Sequence, residues 1–144
     1  VTYLLDVNVL IALIDSGHLH YDVAHRWFED EGYRNWATCP ITEHGVMRIL
    51  GSPRYARSPG TPVIVGAIMR RLSTLTGHHF WADDISISDL SIFNPDHLRK
   101  SEQITDTYLL GLAKAHDGML ATFDRKLSTA AVIDGKSALH IIGQ

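Results

Sequence analysis

Two short apolar segments, YLL at residues 3–5 and MLATF at residues 119–123, are each followed directly by an aspartate, Asp6 and Asp124. Segments of this length without a helical period read as short buried strands. Further strands are expected at residues 36–38, 80–81 and 139–142. Helices are predicted over residues 7–14, 22–31, 42–50, 63–74 and 102–115, with another helical segment at 127–131. Gly17, Gly32, Gly51 and Gly77 punctuate the ends of helical stretches, and Pro40 stands just before the third. GSPRYARSPGTP, residues 51–62, is the clear loop, and residues 83–95 follow no firm period. This alternation implies an α/β sandwich with a mainly parallel sheet, in one domain over residues 1–144. Ligands in such sheets bind beyond the carboxyl ends of the strands, which is where Asp6 and Asp124 fall.

Composition narrows the classes. A hydrophobic fraction of 45% with 20% charged residues belongs to a globular protein rather than a disordered one. The longest purely apolar run, residues 9–14, is too short to span a bilayer. No secretory pattern opens the chain, and Cys39, as the only cysteine, permits neither an internal disulfide nor a cysteine zinc site. A reducing cytoplasm is the expected setting. The net charge of −3 speaks neither for nor against a nucleic-acid partner, because setting four pocket acids aside leaves the rest near neutrality.

Two more acids head apolar stripes. Glu43 is followed by Val46, Met47 and Leu50, and Asp106 by Leu109, Leu110 and Ala113, at the offsets that share one helix face. Each therefore heads a core-facing stripe near the start of its helix and is expected at the rim of the sheet. Singly, each acid has an ordinary explanation: Asp6 and Asp124 as helix caps, Glu43 and Asp106 as helix-dipole partners. Jointly, four carboxylates at one rim repel one another and call for a hard divalent cation, Mg²⁺ or Mn²⁺. Such a cation binds a phosphodiester and lowers the pKa of an attacking water. Asn8 and Thr122 are placed to support the ligands by hydrogen bonds.

YLLDVNVLIAL, TEHGVMRIL, TDTYLLGLA and LATFDRKL resemble, in order and spacing, the motifs of PIN domains. The whole chain is similar to VapC-type toxin ribonucleases of bacterial toxin–antitoxin pairs, and GSPRYARSP and FWADD resemble one branch of them. The resemblance implies a three-layer α/β/α sandwich with Asp6, Glu43, Asp106 and Asp124 as the acidic site, Asp6 and Asp106 being the principal metal ligands with Asp124 beside them. It also implies Mg²⁺ or Mn²⁺ dependence, an RNA substrate, a homodimer and inhibition by a VapB-type antitoxin.

Backbone phosphates need cations. Arg125 and Lys126 follow Asp124 directly, Arg54 and Arg57 lie in the loop, and Arg70, Arg71, Arg99 and Lys100 are also available. Tyr55 is a candidate for base stacking. Neither His18 with His20 nor His78 with His79 has the i, i+4 spacing of a helical zinc motif. An antitoxin segment is expected in an apolar groove near Val23, Trp27, Phe28 and the helix from Thr42. Two other functions compete. An aspartyl-phosphate phosphatase wants a second acid where Asn8 stands, and a non-cleaving PIN-like module binding RNA or protein has no need of four acids.

Overall fold

A computed structural model describes residues 1–143. Its strands are β1 (Tyr3–Leu5), β2 (Trp36–Thr38), β3 (His78–Phe80), β4 (Met119–Thr122) and β5 (Leu139–Ile141). They form one sheet in the order β3-β2-β1-β4-β5, and every neighbouring pair is parallel. The helices are α1 (Val7–Ile14), α2 (Tyr21–Asp30), α3 (Pro40–Leu50), α4 (Pro62–Leu72) and α5 (Ile104–Ala115).

Strand parity builds three layers. Successive side chains of a strand point to opposite faces. Tyr3, Leu5, Trp36 and Ala121 pack on one face with Val9 and Leu10 of α1, Val46 and Leu50 of α3, and Val65 of α4. Leu4, Ala37 and Leu120 pack on the other with Leu109, Leu110 and Leu112 of α5. The helices thus divide unequally, with α5 covering its face together with the strap of residues 83–95. That strap uses Phe93, which is 1% exposed, and approaches α5 closely at Gly111, where an added Cβ would stand 2.4 Å from the Phe93 ring. Gly45 plays the same part between α3 and α1, where a Cβ would stand 2.8 Å from Val7.

Residues 127–131 form no helix, and the strap pairs with the chain just beyond them. Asn94 N–H donates to the Ala131 carbonyl at 2.8 Å and Ile133 N–H to that of Ile92 at 2.9 Å, flanking an antiparallel bridge between Phe93 and Val132. A helix confined to residues 127–131 would close a single i to i−4 hydrogen bond, too little to nucleate alone. The link from β4 to β5 carries only a 3₁₀ turn, Gly135–Ala138. Among the described residues no helix is long and apolar enough to cross a membrane.

Candidate active site

The site grows from the end of β1. Asp6 shares the parity of Leu4 and so faces the α5 side. It caps α1, its Oδ1 accepting from Val7 N–H at 2.8 Å, while its Oδ2 accepts from the Thr122 hydroxyl at 2.8 Å. Thr122 shares the parity of Leu120 and is fully buried. Its oxygen in turn accepts from Asp124 N–H at 3.2 Å, so one hydroxyl positions both strand-end acids. Asp106, in the first turn of α5, completes a group of three.

These acids sense one another. Burial raises the Asp6 carboxyl above its ordinary range; hydrogen bonds from Thr122 and Val7 oppose this, and the charge of Asp124 adds to it. Asp106 is pushed up to about 6, first by partial burial and then by the charges of Asp6 and Asp124. Asp106 accepts no hydrogen bond among the described residues, so both of its oxygens are uncommitted. Asn8 Oδ1, two residues beyond Asp6, is buried and also without a partner.

Glu43 is held apart. Its Oε2 accepts from the Thr38 hydroxyl at 2.7 Å, and His78 Nε2 lies 2.8 Å from the same hydroxyl. Thr38 shares the parity of Trp36, placing this trio on the opposite face of the sheet from Asp106.

Two clefts meet at Asp106. One, of about 480 Å³, runs between α3 and the start of α5 and includes Asp6, Ile41, His44, Arg48 and Asp83. The other, of about 490 Å³, includes Asp124 and the cationic side chains of Arg99, Lys100 and Lys126. Asp83 and His44 escape sequence reasoning. The carboxyl-end rule applies to Asp83, which follows β3 by three residues, but β3 begins at His78, earlier than its sequence suggests.

The remaining predicted positions divide. Lys126 borders the acids, whereas Arg125 Nη2 donates to the Gly143 carbonyl at 3.0 Å. Arg57 pairs with Asp15 at 3.0 Å, beyond the far end of α1, and Tyr55 donates its hydroxyl to the same carboxylate. Arg54, in that loop, lines neither cleft. The face expected to receive a partner is half-buried, with Val23, Trp27 and Phe28 packed against the core. Trp27 meets Tyr3 edge-on at 5.1 Å and donates Nε1–H to His140, and Phe28 meets Trp36 at 5.4 Å. The apolar surface beside the acids is the α3 cleft with Ile41 and Ile49.

Comparison with known proteins agrees with this architecture. The PIN domain family matches over residues 3–133. The chain is 40% identical over 138 residues to Ribonuclease VapC44 of Mycobacterium tuberculosis, covering 96% of each protein. It is also 40% identical over 130 residues to Ribonuclease VapC39 of that organism, covering 90% of this chain and 94% of the relative. In fold it matches the crystal structure of Mycobacterium tuberculosis VapC20, described as a sarcin–ricin loop cleaving toxin, with a TM-score of 0.62 at 16% identity over 92% of this chain and 97% of that one. A five-stranded parallel sheet with carboxylates gathered at its carboxyl rim, and identity sustained along almost its whole length, place this chain in the PIN-domain family among the VapC ribonucleases.

Proposed function

We infer that the chain is an endoribonuclease that hydrolyses RNA phosphodiester bonds at the rim formed by Asp6, Asp106 and Asp124, and that it acts as the toxin of a VapBC-type pair in the cytoplasm. The supporting observation is the convergence of three carboxylates from distant parts of the chain, close enough for Asp6 and Asp124 to raise the pKa of Asp106. Its partners in this reading are RNA, a VapB-type antitoxin and a second copy of the chain.

The donor set fits a hard cation. Among the described residues no three histidine, cysteine or acidic side chains form a ready coordination cage, so the fit rests on donor chemistry. Every candidate donor is an oxygen, as Mg²⁺ and Mn²⁺ prefer, and the uncommitted Asp106 carboxylate and the orphaned Asn8 Oδ1 lack any protein partner. Asp6 and Asp106 would hold the principal ion, with Asp124 beside them. When bound, the ion neutralises the phosphodiester and makes water a better nucleophile.

The residues themselves do the orienting. Thr122 and the Val7 N–H fix the Asp6 carboxylate, which lines the α3 cleft. Asp124 is fixed through one oxygen by Lys126 N–H at 2.9 Å. Glu43 serves through Thr38, steadying the rim at the first turn of α3. Water attacks phosphorus in line, the bond to the 3′ oxygen breaks, and the products carry a 5′-phosphate and a 3′-hydroxyl.

Incubation of the purified chain with RNA and Mg²⁺, followed by analysis of the ends, tests this reading. Cleavage with 5′-phosphate ends, abolished by chelation and by Asp6→Asn, is the expected result. Cyclic phosphate ends, or cleavage that survives chelation, would overturn it.

A further inference from the structure

We propose that the cleft between the segment preceding α5 and the loop after β4 is the phosphate track of the substrate strand, with Arg99, Lys100 and Lys126 as its positioning residues. The proposal rests on the ribonuclease reading and extends it to the path the RNA takes.

Three observations converge. First, these three side chains line one cleft of about 490 Å³ together with Asp106 and Asp124, so a phosphate bound by the cations lies in the same cleft as the acids. Second, all three are cations without an acid partner. Among the described residues the ion pairs are Arg57 with Asp15 and His116 with Asp84, so none of the three is spent on the carboxylates beside it. Cations held next to a carboxylate cluster, yet not neutralising it, are left for another anion. Third, their backbones are pinned. Gln103 Oε1 accepts from the N–H groups of both Arg99 and Lys100 at 3.1 Å, tying the preceding segment to the start of α5. Lys126 N–H is held by Asp124 Oδ1. The backbone positions from which these side chains extend are therefore tied to the elements that carry the acids.

The other candidate cations do not share these properties. Arg125 is turned to the Gly143 carbonyl and Arg57 is held by Asp15. Each cleft carries three acids, Glu102, Asp106 and Asp124 in the track and Asp6, Asp83 and Asp106 in the α3 cleft. The track sets Arg99, Lys100 and Lys126 against them, whereas the α3 cleft sets only Arg48 and His44 among the apolar Val7, Ile41 and Ile49 and is the poorer path for a polyanion.

Direct binding tests the track. A fluorescein-labelled single-stranded RNA of mixed sequence is titrated at several salt concentrations against the full chain carrying Asp106→Asn, which removes cleavage and one repelling charge. Each phosphate contact contributes about 0.7 to the slope of log K against log salt for a single strand. Adding Arg99→Ala, Lys100→Ala and Lys126→Ala together should lower that slope by about 2 and weaken binding at least roughly tenfold, whereas Arg26→Ala, on the exposed side of α2, leaves both unchanged. A companion protein with Arg99→Lys, Lys100→Arg and Lys126→Arg should keep the slope, which separates charge from folding. An unchanged slope in the triple alanine variant, or loss of slope in the charge-keeping variant, overturns the proposal. Cleavage of the same RNA by the unmodified chain with Mg²⁺ is scored separately. Cleavage with an unchanged slope sinks the track alone, and absence of cleavage with the expected slope sinks the ribonuclease reading while the track stands as an RNA-binding site.

Discussion

Thr122 donates its hydroxyl hydrogen to Asp6 Oδ2 at 2.8 Å, joining residues 116 positions apart, and its oxygen accepts from the Asp124 N–H. The parallel pairing of β1 with β4 makes this possible by setting Leu5 level with Ala121, so that the next residue of each strand meets at the rim. A buried carboxylate is thereby given a donor in place of water.

Replacing Thr122 with valine keeps the shape and removes the donor. A hydrogen bond to a charged group is worth about 1.5–3 kcal/mol, and an Asp6 left without it is driven toward its protonated form. Thr122→Val should lower stability at neutral pH by about 2 kcal/mol in chemical denaturation. Cation-dependent activity should fall roughly 10–100-fold, as for other groups that orient ligands. Thr122→Ser restores both if the hydroxyl is responsible; a serine variant as impaired as valine would place the effect in packing.

Asp106 should make the cation-free protein less stable as pH rises. Its folded pKa, about 6, stands above the ordinary 3.8, so the folded state holds the extra proton. The favourable contribution is complete below about pH 4 and is lost as pH climbs through about 6. Asp106 is only partly buried, so the loss is discounted to about 1 kcal/mol. In a chelating buffer, Asp106→Asn should therefore be more stable than the unmodified chain at pH 7.5 by about that amount, with the two converging near pH 4. Denaturation curves at both pH values check this, and an Asn variant less stable at pH 7.5 would contradict it.

A cation that binds only the folded rim stabilises it by mass action, by about 2.7 kcal/mol at a hundredfold excess over the dissociation constant, and so raises the melting temperature. Mg²⁺ or Mn²⁺ should therefore raise the Tm of the unmodified chain by several degrees at pH 7.5. The increment should shrink below pH 6, where protons compete for Asp106, and vanish in Asp106→Asn. A shift retained in full by that variant would move the cation elsewhere.

The contrast between Asp106 and Glu43 marks how far the sequence reaches. Strand-end acids are legible because an apolar run fixes where a strand stops, and both Asp6 and Asp124 lie at the carboxyl rim. An acid heading an apolar stripe is legible as core-facing, and α3 and α5 each present such a stripe. Periodicity is blind to which face of the sheet a helix covers, and these two helices cover opposite faces. Cation placement is equally hidden: Arg57 and Lys126 look alike in sequence, yet one is bound to Asp15 and the other opens onto the acids. The strap pairing of residues 92–94 with residues 131–133 is a long-range contact that no local pattern announces.

Placement of Glu43 on the far face carries its own prediction. With its carboxylate accepting from Thr38, it is expected to orient the rim instead of sharing the ion. Glu43→Gln keeps an oxygen to accept the Thr38 hydroxyl hydrogen, so its activity should stay within about tenfold of the unmodified chain, the low end for an orienting group. Asp6→Asn and Asp106→Asn remove negative donors from the cleft itself and should lose more than about 100-fold, beyond the range such orienting groups command. The cation-induced rise in Tm separates the roles independently of turnover, since Glu43→Gln should retain it and Asp106→Asn should not. A Glu43→Gln variant that lost both activity and the rise would show that the glutamate leaves Thr38 to join the ion in the loaded enzyme.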